Sequence, residues 1–483
     1  MRNEAERSGQ GVALVGAVVL ALTLTMAGGC GDDPIVEPPG NEEQDAGPDP
    51  IPDAGPTDAG VQDTAFAAVR FNTNGTLDTS FGSGGVTIVD VAPSVTGARE
   101  TLWNAVSDKS DRIVLFGSAK GADRLDVDRV VVRLTSNGAV DTAFGSNGLS
   151  TLNIANLTDN ARQGLVQPDG KIMVSGYTPM PTGVGTQTGN RIVLARLNDD
   201  GKPDTTFASK GVLTSMPIPP ADPVNTEWGY AEAYSVGYQA GKYVTTGYGR
   251  FNSTDAVDLL AFRYTSTGQL DTTWGVNGVF SLDLTGSNER GRNLVVLPDN
   301  RVLMVGSGTP TAQNVDALAL MLTENGARDT SFAAEGYKLF SFGRPDETLY
   351  SAAVSPAGNR VAAAGYVAGG GQDDDALLFV HTLGGNGSDF AQPVPLSETA
   401  NDRFWAVAFD SAGKIYAAGQ ITENGDNRMV VARFNADGSR DTAFGTNGVV
   451  THNVVQAGTD EAARTVVIQS DGKIVIAGIV EKK

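Results

Sequence analysis

From about residue 65 to its end the chain repeats one short pattern, and that repeat limits the fold more than any other feature. A turn, a basic residue and an apolar stretch closing on Gly recur as Asp111-Arg112 to Gly117, Gly170-Lys171 to Gly176, Gly241-Lys242 to Gly247 and Asn300-Arg301 to Gly306. Asn359-Arg360 to Gly365, Gly413-Lys414 to Gly419 and Gly472-Lys473 to Gly478 complete the set. Basic residue and closing glycine are five apart in every copy, and successive basic residues lie 59, 71, 59, 59, 54 and 59 positions apart.

A second landmark, Asp-Thr-x-Phe/Trp-Gly or a close variant, starts at Asp78, Asp141, Asp204, Asp271, Asp329 and Asp441, with a degraded copy at Asp389-Phe390. A strand, often ending in Arg, and a turn precede each good copy. Val69-Arg70-Phe71 runs into Asn74-Gly75, and Ala432-Arg433-Phe434 into Asp437-Gly438. Asn-Gly and Asp-Gly supply the positive φ of tight strand reversals. Each unit therefore holds four short strand signals, and no window keeps a helical period. The 60 glycines and the 7% aromatic content agree with many turns between short buried strands.

The expected fold is all-β: a seven-bladed β-propeller of four-stranded blades over residues 64–483. The chain begins on the third and fourth strands of a unit and ends on the first and second, so pairing of the N- and C-terminal strands is expected to close the ring. An open β-solenoid is the lesser alternative, since its coils are usually shorter and need no complementary ends. The run PDGKI…G, then ARFNADG, then DTAFG resembles the delta-60 repeat of bacterial exported proteins, a propeller-type repeat without an established activity. The likeness covers about residues 65–483. HTLGGNGSDF at His381–Phe390 departs from it, and the segment around Trp228 to Tyr238 carries extra residues.

Ahead of the repeats, Gly11 to Ala27 has no charge and reads GVALVGAVVLALTLTMA, the length of a signal-peptide core and short for a membrane span. Gly28-Gly29-Cys30 follows, and Cys30 is the only cysteine. This junction resembles a bacterial lipoprotein signal, with Ala27 where that family usually has Leu. The resemblance implies a signal peptide over 1–29, a lipidated Cys30 at the mature N-terminus and a membrane partner through that lipid. An ordinary secreted chain with a stray thiol is the plainer alternative. Gly31 to Asp63 holds ten acidic residues, seven prolines and no Lys or Arg. Residues 30–63 read as a disordered tether, which as a flexible chain spans about 30 Å. The expected location is outside the cytoplasm, anchored at an outer membrane or the cell surface.

A net charge of −21 argues against nucleic acid as a partner. Two histidines, His381 and His452, and one cysteine leave no Cys/His metal site by spacing. GxSxG, HExxH and a phosphate-binding loop are lacking from the sequence, and no cofactor or metal is expected. His381 reads as standing at or near the strand position that Arg holds elsewhere, and His452 as lying on an outer strand. Asp373-Asp374-Asp375 lacks calcium-loop spacing and reads as a solvated turn. The Asp-Thr-x-Phe-Gly motifs read as turns whose aromatic ring packs between units.

One recurrence is less ordinary. A carboxylate stands at Glu100, Asp159, Glu227, Glu289, Glu347, Asp402 and Glu461, with Arg or a large aromatic three residues on. These are Trp103, Arg162, Tyr230, Arg292, Tyr350, Trp405 and Arg464, all at the start of the first, innermost strand. The acids are read first as acceptors for main-chain N–H groups or neighbouring Arg. The functional alternative is a channel-mouth site for a polar ligand, whose crowded carboxylates would have raised pKa values. The expected function is a non-catalytic binding or scaffold module for an unknown protein or glycan. A glycan hydrolase using axial carboxylates and a structural or adhesion protein are the alternatives.

Overall fold

The structure is a computed structural model that describes residues 63–482 apart from 94–99, 121–125, 155–156, 182–187, 217–229, 251–255, 285–287, 312–313, 370–372, 386–388, 398, 424 and 456–460. The signal segment, Cys30, nearly all of the tether and Glu227 lie outside the described residues. The described residues contain strands and turns and no helix.

Strands come in antiparallel sets of four. Five such sheets stand alone, and two further sets are joined into an eight-stranded sheet by a single parallel bridge, Val315 to Asp346. One sheet draws on both ends of the chain in the order Val86–Val89, Thr64–Phe71, Ile474–Glu481, Glu461–Ile468. Its central pairing runs unbroken from Thr64 against Glu481 to Phe71 against Ile474.

The first strands of the sets are Glu100–Ser107, Asn160–Val166, Tyr230–Gln239, Arg290–Val296, Asp346–Val354, Asp402–Phe409 and Glu461–Ile468. Each touches the next, and the last touches the first. Outer strands are four residues long in every set, which keeps exposed sheet edge short. Apolar cores lie between neighbouring sheets: Phe66 and Phe81 pack with Leu115 and Val132 in one, Phe116 and Phe144 with Ile172 and Leu197 in the next. The motif aromatics Phe81, Phe144, Phe207, Trp274 and Phe444 are fully buried, each contributing about 1.5–3 kcal/mol of burial.

His452 ends an outer strand, as expected. His381 stands one residue past the strand position that Arg holds elsewhere, near it as expected. Val130, opposite Gly117, stands three residues before Arg133; Leu377, opposite Gly365, puts Val380 at that place. His381 turns to the other face, 4.9 Å from the Phe332 ring, with Nδ1 2.6 Å from Asp389 Oδ1. The Asp373–Asp375 run is not simply solvated: Asp374 pairs with Arg403 through Nε at 2.8 Å, and Asp375 with Arg344 at 2.9 Å.

Candidate functional site

Each first strand breaks register once, and the pairing skips Trp103, Arg162, Tyr234, Arg292, Tyr350, Trp405 and Arg464. A β-bulge re-aims its extra side chain. It also explains the closing glycine of the repeat. A Cβ on Gly176, Gly306, Gly365 or Gly419 would fall 1.8 Å from the carbonyl oxygen of Asn160, Arg290, Thr348 or Arg403, so the bulged strand leaves no room for a side chain.

The seven skipped residues meet one another in a continuous circuit. Arg162 lies 4.3 Å from the Trp103 ring and 4.6 Å from Tyr234; Arg292 lies 5.2 Å from Tyr234 and from Tyr350. Tyr350 meets Trp405 edge-on at 4.8 Å, and Arg464 sits 4.5 Å from Trp405 and 5.2 Å from Trp103. Arg162, Tyr234, Arg292, Trp405 and Arg464 are buried, while Trp103 and Tyr350 are half-buried.

Tyr230 is therefore not the member that the third set contributes. Its main chain pairs with Arg250, four residues before the bulge at Tyr234. Seven positions separate Tyr234 from Gly241, where eight separate Trp103 from Asp111, because the Gln239–Lys242 hairpin is one residue tighter. Three residues before Tyr234 stands Ala231, so this set has no carboxylate at the shared position. Counting 14 residues back from the closing glycine, the spacing in five of the copies, lands on Ala233 here, so the shorter hairpin hides Tyr234 from an alignment of the repeats.

The six described acids are at most 1% exposed and turn to main-chain N–H groups of the preceding connection. Glu100 accepts from Val91 and Ala92 at 2.9 and 2.8 Å, and Asp159 from Ile154 at 2.5 Å. Glu289 accepts from Leu284 at 3.3 Å, and Glu347 from Phe342 and Arg344 at 2.7 and 2.9 Å. Asp402 accepts from Ala376, Leu396 and Ser397, and Glu461 from Val454 and Val455. Burial pushes Glu100 up to about 8, and Glu289, Glu347 and Asp402 up to about 7, against the pull of these donors. Asp159 and Glu461 are raised for the same reason. Desolvation, not crowding of the acids with one another, is the main cause.

One step further along the first strands, side chains link neighbouring sets. Asn104 accepts from Gly164 N, Gln163 from Val236 N, Ser235 from Leu294 N, Asn293 from Ala352 N, Ser351 from Val407 N and Thr465 from Ala105 N. The seventh place is Ala406, which has no acceptor to offer. The inner sheet edges are covered in this way without backbone pairing.

At the opposite end of the sheets the two sequence landmarks meet. Arg70, Arg133, Arg196, Arg263 and Arg433 bond their motif aspartates at 2.7–3.0 Å and lie over the motif aromatic rings. Each also donates to a carbonyl of the neighbouring set: Ser136, Asp199, Ser266, Glu324 and Thr73. The post-turn lysines complete the cluster, as Lys171 to Asp204 at 2.8 Å and Lys473 to Asp78 at 3.0 Å. These aspartates hold the sets together. Asp258, Asp283 and Glu289 bring one oxygen each within 4.8 Å of one another, a grouping the sequence did not single out because Asp258 opens one strand while Asp283 and Glu289 lie in the connection between two others.

The sequence model of the family described as a domain of unknown function (DUF5122), a β-propeller, matches residues 57–81, 167–207 and 413–444. Four-stranded sheets, the circular order of their first strands and this match define the class of protein as a β-propeller. No curated protein matches the sequence. Among solved structures, the chain is similar to the β-propeller domain of the trilobed protease from Pyrococcus furiosus (TM-score 0.39, 9% identity, 77% of this chain and 88% of that one). It is similar also to a protein of unknown function from Dyadobacter fermentans (TM-score 0.38, 12% identity, 80% and 100%). A third likeness is to an α-L-arabinofuranosidase from Fusarium graminearum (TM-score 0.40, 12% identity, 69% and 93%). At these scores the likenesses carry no argument about activity.

Proposed function

We propose that the chain is a seven-bladed β-propeller closed through its end strands and held at a membrane by lipid on Cys30 through the tether of residues 30–63. It works outside the cytoplasm as a non-catalytic binding or scaffold module, taking an unknown protein or glycan on the face where the first strands begin. The observation that carries this reading is the division of labour at those strand starts. The described carboxyls are spent on main-chain N–H groups, while the bulges turn a continuous arginine–aromatic circuit toward the middle of the molecule. A glycan hydrolase would need two carboxyls facing a substrate from opposite sides. Arginine and aromatic faces instead suit recognition of a polar ligand.

The test is a glycan and peptide array probed with the full chain and with a Trp103→Ala/Trp405→Ala variant whose melting transition is checked in parallel. A ligand that the wild type retains and the folded variant loses supports the reading. Undiminished binding by the variant removes this face as the site, and release of reducing sugar from a bound glycan turns the assignment to an enzyme.

A further inference from the structure

We infer that the arginine–aromatic circuit holds an oxyanion, a carboxylate, sulfate or phosphate group of the ligand. This rests on reading that face as the binding face and goes further by naming the chemical group it takes. Arg162, Arg292 and Arg464 come from three different first strands, and each guanidinium has an aromatic ring on two sides. The rings are Trp103 and Tyr234 for Arg162, Tyr234 and Tyr350 for Arg292, and Trp405 and Trp103 for Arg464. A guanidinium covered on its faces hydrogen-bonds through its edge, and that planar fork of N–H donors matches two oxygens of one oxyanion.

The charge balance points the same way. Arginine stays ionised throughout the physiological range. The strand-start carboxyls beside the circuit are committed to main-chain N–H groups, and burial inclines Glu289, Glu347 and Asp402 toward the neutral acid. Asp346, on which the charges of Arg292 and Arg403 act, accepts from the Tyr366 hydroxyl at 3.0 Å and is likewise raised by burial. Arg162 Nη2 donates to a neutral group, the Tyr177 hydroxyl, at 2.8 Å. The buried Glu232 carboxylate also acts on Tyr234 alongside Arg162 and Arg292, so two arginines face one acid at that ring, within a chain of net charge −21. Half-buried Trp103 and Tyr350 give the circuit its contact with solvent.

The experiment is isothermal titration of the full chain, in low-salt buffer, with sodium sulfate, galacturonate and neutral galactose. Sulfate and galacturonate should bind in competition and galactose should not. Arg464→Gln should weaken both anions at least tenfold, and Lys202→Gln, on an exposed turn, should leave them unchanged. Arg162→Lys keeps the charge but loses the fork, and it should give an intermediate loss if Arg464→Gln does not fold. Equal affinity for sulfate and galacturonate marks the free oxyanion as the recognised group, and tighter galacturonate marks the sugar-borne one; either supports the inference. If neither anion binds while a neutral glycan is retained on the array and lost with Trp103 and Trp405, the oxyanion is wrong and the binding face stands. If neither anions nor any array ligand bind, both fall.

Discussion

Arg433 donates from Nη1 to the main-chain carbonyl of Thr73 at 2.7 Å, joining residues 360 positions apart in the sequence. The same arginine pairs with Asp441 at 3.0 Å and covers the Phe444 ring, and Gly445 N donates to Asn74 O beside it at 3.0 Å. The contact repeats the one that Arg70, Arg196 and Arg263 make to their own neighbours, so the join onto the sheet that holds both end strands is built like the joins elsewhere. Arg433→Ala removes a charged donor from the largely buried Asp441, which keeps Lys414 at 2.8 Å, and should lower the unfolding free energy by about 2 kcal/mol. Arg328→Ala breaks an exposed pair 4.0 Å long and a contact 5.6 Å from the Tyr337 ring, and should cost less than about 1 kcal/mol. Urea unfolding of the two variants checks the contrast, and equal losses would refute it.

Ala406 interrupts an otherwise repeated set of side-chain to main-chain bonds, standing where Ser351 and Thr465 accept from their neighbours. Ala406→Ser supplies the missing acceptor for the strand of Val466 at the cost of one oxygen atom in volume. It should stabilise the protein by up to about 1 kcal/mol, and Ser351→Ala should destabilise it by a similar amount. Thermal melts of both variants test the pairing, and a destabilised Ala406→Ser would show that this join is packed differently from the others.

The strands were legible because their turn chemistry and apolar runs are local and recur in phase, and the order of the landmarks pointed to pairing of Thr64–Phe71 with Ile474–Glu481. The bulges were not legible, because a skipped residue is a property of two paired strands and leaves no mark in the composition of either. Tyr230 lies four residues from the bulge at Tyr234: the Gln239–Lys242 turn, one residue tighter than its counterparts, accounts for one, and anchoring on Glu227, three places further back than the other acids, for the rest. Likewise Lys473 and Asp78 belong to different landmarks at opposite ends of the chain, and only the folded sheet brings them to 3.0 Å. The acids were visible, but the cause of their raised pKa values was not: burial is set by the whole fold, whereas crowding can be guessed from a list of charges.

The reading of Cys30 as the lipid-bearing residue predicts a chemical difference that needs no ligand. Cells expressing the wild-type chain in a host with lipoprotein processing should incorporate labelled palmitate into it. Cys30→Ser should abolish the label and leave a precursor that keeps residues 1–29, visible by intact-mass spectrometry. A labelled Cys30→Ser protein, or an unlabelled wild type cut elsewhere, would return the chain to the class of ordinary secreted proteins.

Two sets of buried carboxyls should give the protein an acidic stability optimum. Burial raises Glu100 to about 8 and Glu289, Glu347 and Asp402 to about 7, above their unfolded values near 4. Between those limits the native state holds protons that the unfolded chain has released, so stability falls as pH rises from about 4 to about 8. Asp78, Asp204 and Asp271 act oppositely. Burial would raise them, but Ser80, Thr206, Thr273 and the paired Lys and Arg outweigh it and hold them below the usual carboxylate range. Their contribution is present above about pH 4 and is lost as pH falls below it. Urea midpoints from pH 3 to 9 should therefore peak near pH 4–5. Glu347→Gln, which fixes one of the raised groups in an uncharged form, should flatten the decline between pH 5 and 7 and leave the acid limb unchanged. A midpoint that climbs from pH 5 to 8 would mean that the buried acids are ionised in the native state, held so by the main-chain donors around them.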